Sequence, residues 1–237
     1  AIINPNLRDC NFPSKSLAGV GVAFYLMLAL RTFLRDQGWF DERGIAIPNL
    51  AELLDLVALG TVADVVPLDA NNRILTWQGM SRIRAGKCRP GIKALLEVAN
   101  RDPQKLAASD LGFALGPRLN AAGRLDDMSV GVALLLCDNI GEARVLANEL
   151  DALNQTRKEI EQGMQVEALT LCEKLERSRD TLPGGLAMYH PEWHQGVVGI
   201  LASRIKERFH RPVIAFAPAG DGTLKGSGRS IQGLHMR

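Results

Sequence analysis

The stretch Leu186-Ala187-Met188-Tyr189, then His190-Pro191-Glu192-Trp193-His194-Gln195-Gly196, then Val197 to Phe209 and Pro212-Val213-Ile214-Ala215-Phe216-Ala217, decides the fold class. Two short β-prone runs flanking a segment of helical period read as strand, helix, strand, the unit of a parallel sheet. Residues 190–196 are then a loop entering a helix N-terminus, where free backbone N–H groups and the helix dipole attract anions. His190 reads as a surface residue. His194 reads as functional, because Gly196 and Gly199 leave its surroundings open.

Outward from this unit, residues 140–178 contain no proline, and Leu146, Leu150, Leu153, Ile160, Met164, Ala168, Leu171 and Leu175 recur by threes and fours, with Arg157 in the remaining position. That is a narrow seam on a long helix, about 55 Å if unbroken at ~1.5 Å per residue. A connector between two bodies and a dimerising coiled coil both fit, and Asp180-Thr181-Leu182-Pro183-Gly184-Gly185 ends it. Towards the carboxyl terminus, Lys225-Gly226-Ser227-Gly228-Arg229-Ser230 reads either as a nest of backbone amides on an anion, helped by Ser227 and Arg229, or as a hairpin turn.

Two segments upstream carry further chemistry. A helix over residues 49–59, capped by Asn49 and striped by Leu50, Leu53, Leu54, Val57 and Ala58, leads to Gly60-Thr61-Val62-Ala63-Asp64-Val65-Val66-Pro67-Leu68. Asp64 has two apolar neighbours on each side, so it reads as a carboxylate in a buried run that needs a partner. Either it caps a helix and organises the turn before Pro67, or it meets a cation. The second segment, Leu115-Gly116-Pro117-Arg118-Leu119-Asn120-Ala121-Ala122-Gly123-Arg124-Leu125-Asp126, sets two arginines and an amide among small residues. Their donors suit phosphate or carboxylate, and ion pairs such as Arg124 with Asp126 or Asp127 explain the same letters.

The rest reads as scaffold. Residues 1–4 look like the end of a buried strand, and residues 17–37 like a central core helix capped by Ser14 or Ser16, with Gly19 and Gly21 admitting another backbone. Lys15 is expected in solvent. Helices follow at 71–84 and 91–99, with Trp77 packed and Arg73, Arg82, Arg84, Lys87 and Arg89 forming a solvated basic face. Net charge is only +2, but residues 184–237 hold seven Lys and Arg against three Asp and Glu, which suits a polyanionic partner. Cys10, Cys88, Cys137 and Cys172 are scattered without a CxxC pair, which points away from a zinc site or a disulfide framework and towards a reducing, cytoplasmic setting. The longest apolar run, residues 17–30, is shorter than the roughly 20 residues a membrane helix needs, so no membrane partner is expected.

In this order, GTVADVVPL, GPRLNAAGR, HPEWHQGVVGILASR and KGSGRS resemble the RecJ family of single-strand-specific exonucleases in the DHH phosphoesterase superfamily. The resemblance implies an α/β fold in three parts. Residues 1–138 would be the carboxyl-terminal part of a DHH catalytic domain, 139–180 a connector helix, and 181–237 the amino-terminal part of a DHHA1 nucleic-acid-binding domain. It implies 5′-to-3′ hydrolysis of single-stranded DNA in repair and recombination, with two Mn²⁺ or Mg²⁺ ions and with other repair proteins as further partners. Asp64 falls on a metal-binding position and His194 on one facing the cleft, both expected to be catalytic. Arg118, Asn120, Arg124, Ser227, Gly228 and Arg229 fall on the nucleic-acid side, with Asp64 facing Arg124 and Arg229 across a cleft. The chain departs from the family in having no Asp-His-His triplet among its four histidines and no later Gly-Gly-His motif. It is therefore expected to be an internal piece, inactive alone. An oligonucleotide or cyclic-dinucleotide phosphodiesterase and a non-catalytic replication scaffold are the alternatives.

Overall fold

Capping chemistry and glycine placement set where the helices start, stop and touch. The structure, a computed structural model, describes residues 2–179, 182–220 and 222–236. In chain order these form α1 (Gly19–Asp36), α2 (Trp39–Glu42), a 3₁₀ turn at Leu50–Leu53, α3 (Leu54–Ala63), α4 (Ala70–Arg84), α5 (Pro90–Val98), α6 (Ala108–Asp110), a π-helical turn at Leu111–Leu115, α7 (Gly116–Leu125), α8 (Ser129–Leu136) and α9 (Ile140–Arg179). Then come β1 (Leu186–Tyr189), α10 (Val198–Phe209), β2 (Val213–Pro218) and β3 (Leu224–Arg229). Two compact units result, Ala1–Asn120 with Met128–Asp151, and Ala121–Asp127 with Ala152–Arg237. No helix among the described residues is long and apolar enough to cross a membrane.

In the first unit, Asn49 Oδ1 accepts from Ala51 N and starts the turn into α3, as its cap chemistry requires. Asp69 caps α4 by accepting from Asn72 N at 2.9 Å, while Ser14 Oγ donates to its other oxygen at 2.6 Å. Ser14 thus supports α4 and not α1, whose N-cap, Ala18, makes no side-chain bond. Phe24, Leu50, Val57 and Leu75 form one core cluster, each worth ~1.5–3 kcal/mol if fully buried.

Several expectations fail here, each for a local reason. Residues 2–4 form no strand, because no described strand pairs with them, and Ile2 and Ile3 are exposed. Helix α1 is not central: it buries Gly21 and Phe24 but leaves Leu26, Leu30 and Phe33 in solvent. Nothing approaches Gly19, and an added Cβ at Gly21 would meet only the side chain of Leu17. The close crossings use other glycines. A Cβ at Gly79 of α4 would lie 2.0 Å from the Leu54 carbonyl oxygen of α3, and one at Gly91 of α5 2.1 Å from the Leu134 oxygen of α8. Trp77 is 60% exposed and packs little. The basic face is only partly solvated: Arg84 donates to Leu106 O, and Arg89 grips Asp55, which is 1% exposed, through Nε at 3.1 Å and its backbone N at 3.0 Å.

Helix α9 runs unbroken over 40 residues, about 60 Å at ~1.5 Å per residue. Residues 140–151 belong to the first unit and 152–179 to the second. Its buried line is Ala143, Ala147, Leu150, Asn154, Glu161, Met164, Ala168 and Cys172, so only part of the anticipated leucine seam is fully buried. Polar groups occupy the middle because they are paired there. Glu161 accepts from Arg157 Nη1 at 2.6 Å and Arg204 Nε at 3.2 Å, and Arg157 Nη2 donates to Asn154 at 2.9 Å. The anticipated boundary at Asp180 and Thr181 lies outside the described residues.

In the second unit the anticipated strand, helix, strand unit is present: β1 pairs parallel with β2, and β3 is antiparallel on the far side of β2. Val213, Ala215 and Ala217 of β2 meet Val198, Leu201, Ala202 and Ile205 of α10 in one cluster.

Candidate nucleic-acid interface and metal ligand

Asp64 terminates α3 and is exposed, which corrects the expectation of a carboxylate in a buried run. The apolar letters around it mislead because the helix ends there: Leu59 and Thr61 are buried, while Val65 is 85% exposed. The bonds Asp64 N to Gly60 O (3.0 Å) and Val65 N to Val62 O (3.1 Å) close the helix, and Asp64 makes no ion pair among the described residues. The π-helical turn and the start of α7 lie alongside: a Cβ on Gly112 would be 3.3 Å from Val62 and one on Gly116 3.1 Å from Ala63. Asp64 and Asn120 consequently line one depression of about 400 Å³ with Gly60, Ala63, Gly116 and Leu119. A hard divalent cation takes six or more oxygen ligands, and one carboxylate supplies at most two. Among the described residues no group of three or more His, Cys, Asp or Glu gathers to hold a metal. Asp64 therefore fits as one ligand, and the described residues do not complete the set.

The second unit holds a depression of about 300 Å³ lined by Arg124, Gln195, Gly196, Gly199, Lys225, Ser227 and Arg229, among others, with no carboxylate in its wall. Its cations converge because β3 is a strand. The nest reading of Lys225 to Ser230 is not borne out, since Gly226 and Gly228 lack positive φ and pair in register with Phe216 and Ile214. Alternation then puts Lys225, Ser227 and Arg229 on one face, towards the start of α10. The glycines face away, and a Cβ at Gly226 would strike the Phe216 ring at 2.6 Å. Gly199, in the first turn of α10, keeps the floor open: a Cβ there would sit 3.0 Å from Arg229 Nη2 and 3.1 Å from Ser227 Oγ. Arg229 Nη1 donates to Ser227 Oγ at 3.0 Å and Nε to Ser203 Oγ at 3.1 Å, which fixes the guanidinium without neutralising it.

Arg124 enters from α7 and donates to Gly196 O at 3.2 Å. Burial first, then the guanidiniums of Arg157 and Arg229, hold its pKa below the ordinary arginine value, with Glu161 opposing them. Like charges crowded without an acidic wall favour an anion there, and planar guanidiniums suit phosphate oxygens.

The remaining expected site residues fall elsewhere. Arg118 is committed to a 2.7 Å ion pair with Asp151 and a 2.7 Å bond to Ala114 O. His194 lies in the loop before α10, its Nδ1 accepting from Gly196 N at 3.1 Å, and does not line the depression. Gly228 contributes a carbonyl that accepts from Arg229 at 2.8 Å. Asp64 lies in the first unit, and Arg124 and Arg229 in the second. Lys225 is the cation that sequence reasoning left out, and period-two alternation through Ser227 and Arg229 was the signal for it.

Residues 183–237 match the DHHA1 domain family. The chain is 99% identical over all 237 residues to the protein named single-stranded-DNA-specific exonuclease RecJ of Escherichia coli, and 38% identical over the same length to its namesake in Bacillus subtilis. It spans 41% of the first and 28% of the second. A crystal structure of RecJ from Thermus thermophilus with Mg²⁺ superposes with a TM-score of 0.73 at 35% identity, covering 94% of this chain and 32% of that one. A manganese-bound exonuclease RecJ gives 0.69 at 34%, covering 97% and 51%. The fold is accordingly a helix-rich α/β one with a three-stranded sheet, shared with solved RecJ structures and matching the DHHA1 domain over residues 183–237. The chain is thus similar along its whole length to a part of the RecJ proteins and shares its fold with solved RecJ structures.

Proposed function

We propose that this chain is the part of a 5′-to-3′ single-stranded-DNA exonuclease that supplies one carboxylate ligand of its metal pair and the grip on the strand's phosphates. The observation that carries this reading is the convergence of Arg124, Lys225 and Arg229 on one depression whose wall has no acid. In this reading residues 1–138 belong to the catalytic domain, 139–180 to the connector and 181–237 to the nucleic-acid-binding domain. The setting is the cytoplasm, where the free thiols of Cys10, Cys88, Cys137 and Cys172 persist.

Arg124 and Arg229 hold a phosphate by charge-assisted donors, and the Ser227 hydroxyl, already accepting from Arg229, turns its own proton to the anion. Such contacts fix the strand's position and read no sequence, which accords with a degradative enzyme. Lys225 adds a further, exposed charge to the same wall. Asn120 orients a phosphate or water beside Asp64 through its amide, and Asp64 presents carboxylate oxygens to a divalent cation. Mn²⁺ or Mg²⁺, when bound, activates water for attack on phosphorus and stabilises charge on the leaving oxygen.

The test is Asp64→Asn in the full-length protein. Single-strand cleavage in Mn²⁺ is expected to fall by at least about 10³-fold, as for removal of a main electrostatic group, with unfolding temperature unchanged. Cleavage within tenfold of wild type would remove Asp64 from the metal site.

A further inference from the structure

Several turns among the described residues leave a helix in the same way, and one of them uses a residue that chemistry disfavours. After α1, α4 and α5 the chain passes through a left-handed residue whose N–H bonds back three residues: Gly38 (φ 71) to Arg35 O, Gly86 (φ 72) to Ile83 O, and Asn100 (φ 52) to Glu97 O. Glycine and asparagine are the residues that tolerate this conformation. After α3 the same bond runs from Val65 N to Val62 O, and Val65 has φ 57. A β-branched residue there is a steric outlier. Packing does not account for it, since Val65 is 85% exposed, and the residue just before it is Asp64.

The surroundings hold the turn from both ends. On one side, Asp64 N is bonded to Gly60 O within the last turn of α3. On the other, Pro67 confines Val66 to extended backbone. The Pro67 carbonyl accepts from Asp69 N at 3.0 Å and from the buried Asn72 amide at 2.9 Å, and Asn72 also donates to Ser16 O at 2.8 Å. Asp69 in turn caps α4. With both ends fixed, a stiff residue leaves the helix terminus one conformation, whereas glycine leaves it several.

We propose that Val65 is a positioning residue for Asp64: its strained left-handed backbone holds the carboxylate in one direction for metal binding, at the expense of fold stability. Strain confined to a ligand-bearing turn is a recognised form of pre-organisation. The proposal rests on Asp64 being a metal ligand, and the test separates the two.

In the full-length protein, Mn²⁺ affinity by titration and metal-free unfolding temperature are measured for wild type, Asp64→Asn, Val65→Gly and Val65→Ile. Val65→Gly is expected to weaken Mn²⁺ binding about tenfold, within the range for residues that orient a ligand. Its unfolding temperature should stay level or rise by about 2 °C, since strain is removed. Val65→Ile, which keeps the β-branch, should retain affinity within about twofold. A fall of several degrees for Val65→Gly would show that the side chain packs and would overturn the proposal. So would unchanged affinity in Val65→Gly when Asp64→Asn has lost it. Unchanged affinity in Asp64→Asn would refute the ligand role itself, and the proposal with it.

Discussion

Gly196→Ala probes how the proposed phosphate-binding depression is built without touching any of its cations. A Cβ on Gly196 would lie 2.0 Å from the Arg124 carbonyl oxygen, where ordinary contact begins near 3.4 Å, so loop and helix must part by about 1.4 Å. Both partners are backbone, and no side chain can swing aside to absorb the clash. That displacement breaks the 3.2 Å bond from Arg124 Nη1 to Gly196 O and draws the guanidinium away from Arg229. Overpacking of this kind costs about 1–3 kcal/mol of stability. Loss of one charge-assisted bond to phosphate costs a further ~1.5–3 kcal/mol in binding, or roughly 10- to 100-fold. The assay is fluorescence anisotropy of a labelled single-stranded oligonucleotide on metal-free full-length protein, with thermal unfolding alongside. Folded Gly196→Ala should bind about as weakly as Arg124→Ala. A folded variant that binds within twofold of wild type would refute the claim that this crossing positions Arg124.

Other consequences concern the scaffold. Asp55→Ala should destabilise the first unit by about 3–5 kcal/mol in denaturant unfolding, because Arg89, 19% exposed, loses its partner, whereas Asp55→Leu with Arg89→Met should recover most of the loss. Asp69 has its pKa lowered, first by the Asn72 N–H and then by the Ser14 hydroxyl, so the ionised form is favoured by folding. Its contribution is therefore present above the unfolded value near pH 4 and lost as pH falls through the folded one. Asp69→Asn should accordingly lower stability at pH 7, with the difference from wild type shrinking in thermal melts as pH falls below the unfolded value near 4.

Much of this arrangement was legible in the letters. The unit from Leu186 to Ala217 follows from apolar period and breaker residues, and the Asn49 cap and the long helix from residue 140 follow from equally local rules. Arg124, Ser227 and Arg229 do share a depression, the last two through strand pairing and not through an amide nest. Alternation along a strand brings them together, and flanking glycines disguised that strand as a turn. Asp64 misled in the opposite sense, because apolar neighbours signal burial only while the helix continues, and Val65 ends it. Exposure of α1 and Trp77, and the pairing of Arg89 with Asp55 across 34 positions, depend on tertiary neighbours that no local window contains.

The salt dependence of single-strand binding tests the central claim most directly. Each phosphate neutralised on a single strand contributes ~0.7 to the slope of log affinity against log salt. If Arg124 and Arg229 each hold a phosphate, Arg124→Ala with Arg229→Ala in metal-free full-length protein should flatten that slope by about 1.4 and weaken binding at every salt concentration. A double variant that folds, keeps the wild-type slope and binds as tightly would contradict the assignment of this depression to the DNA backbone.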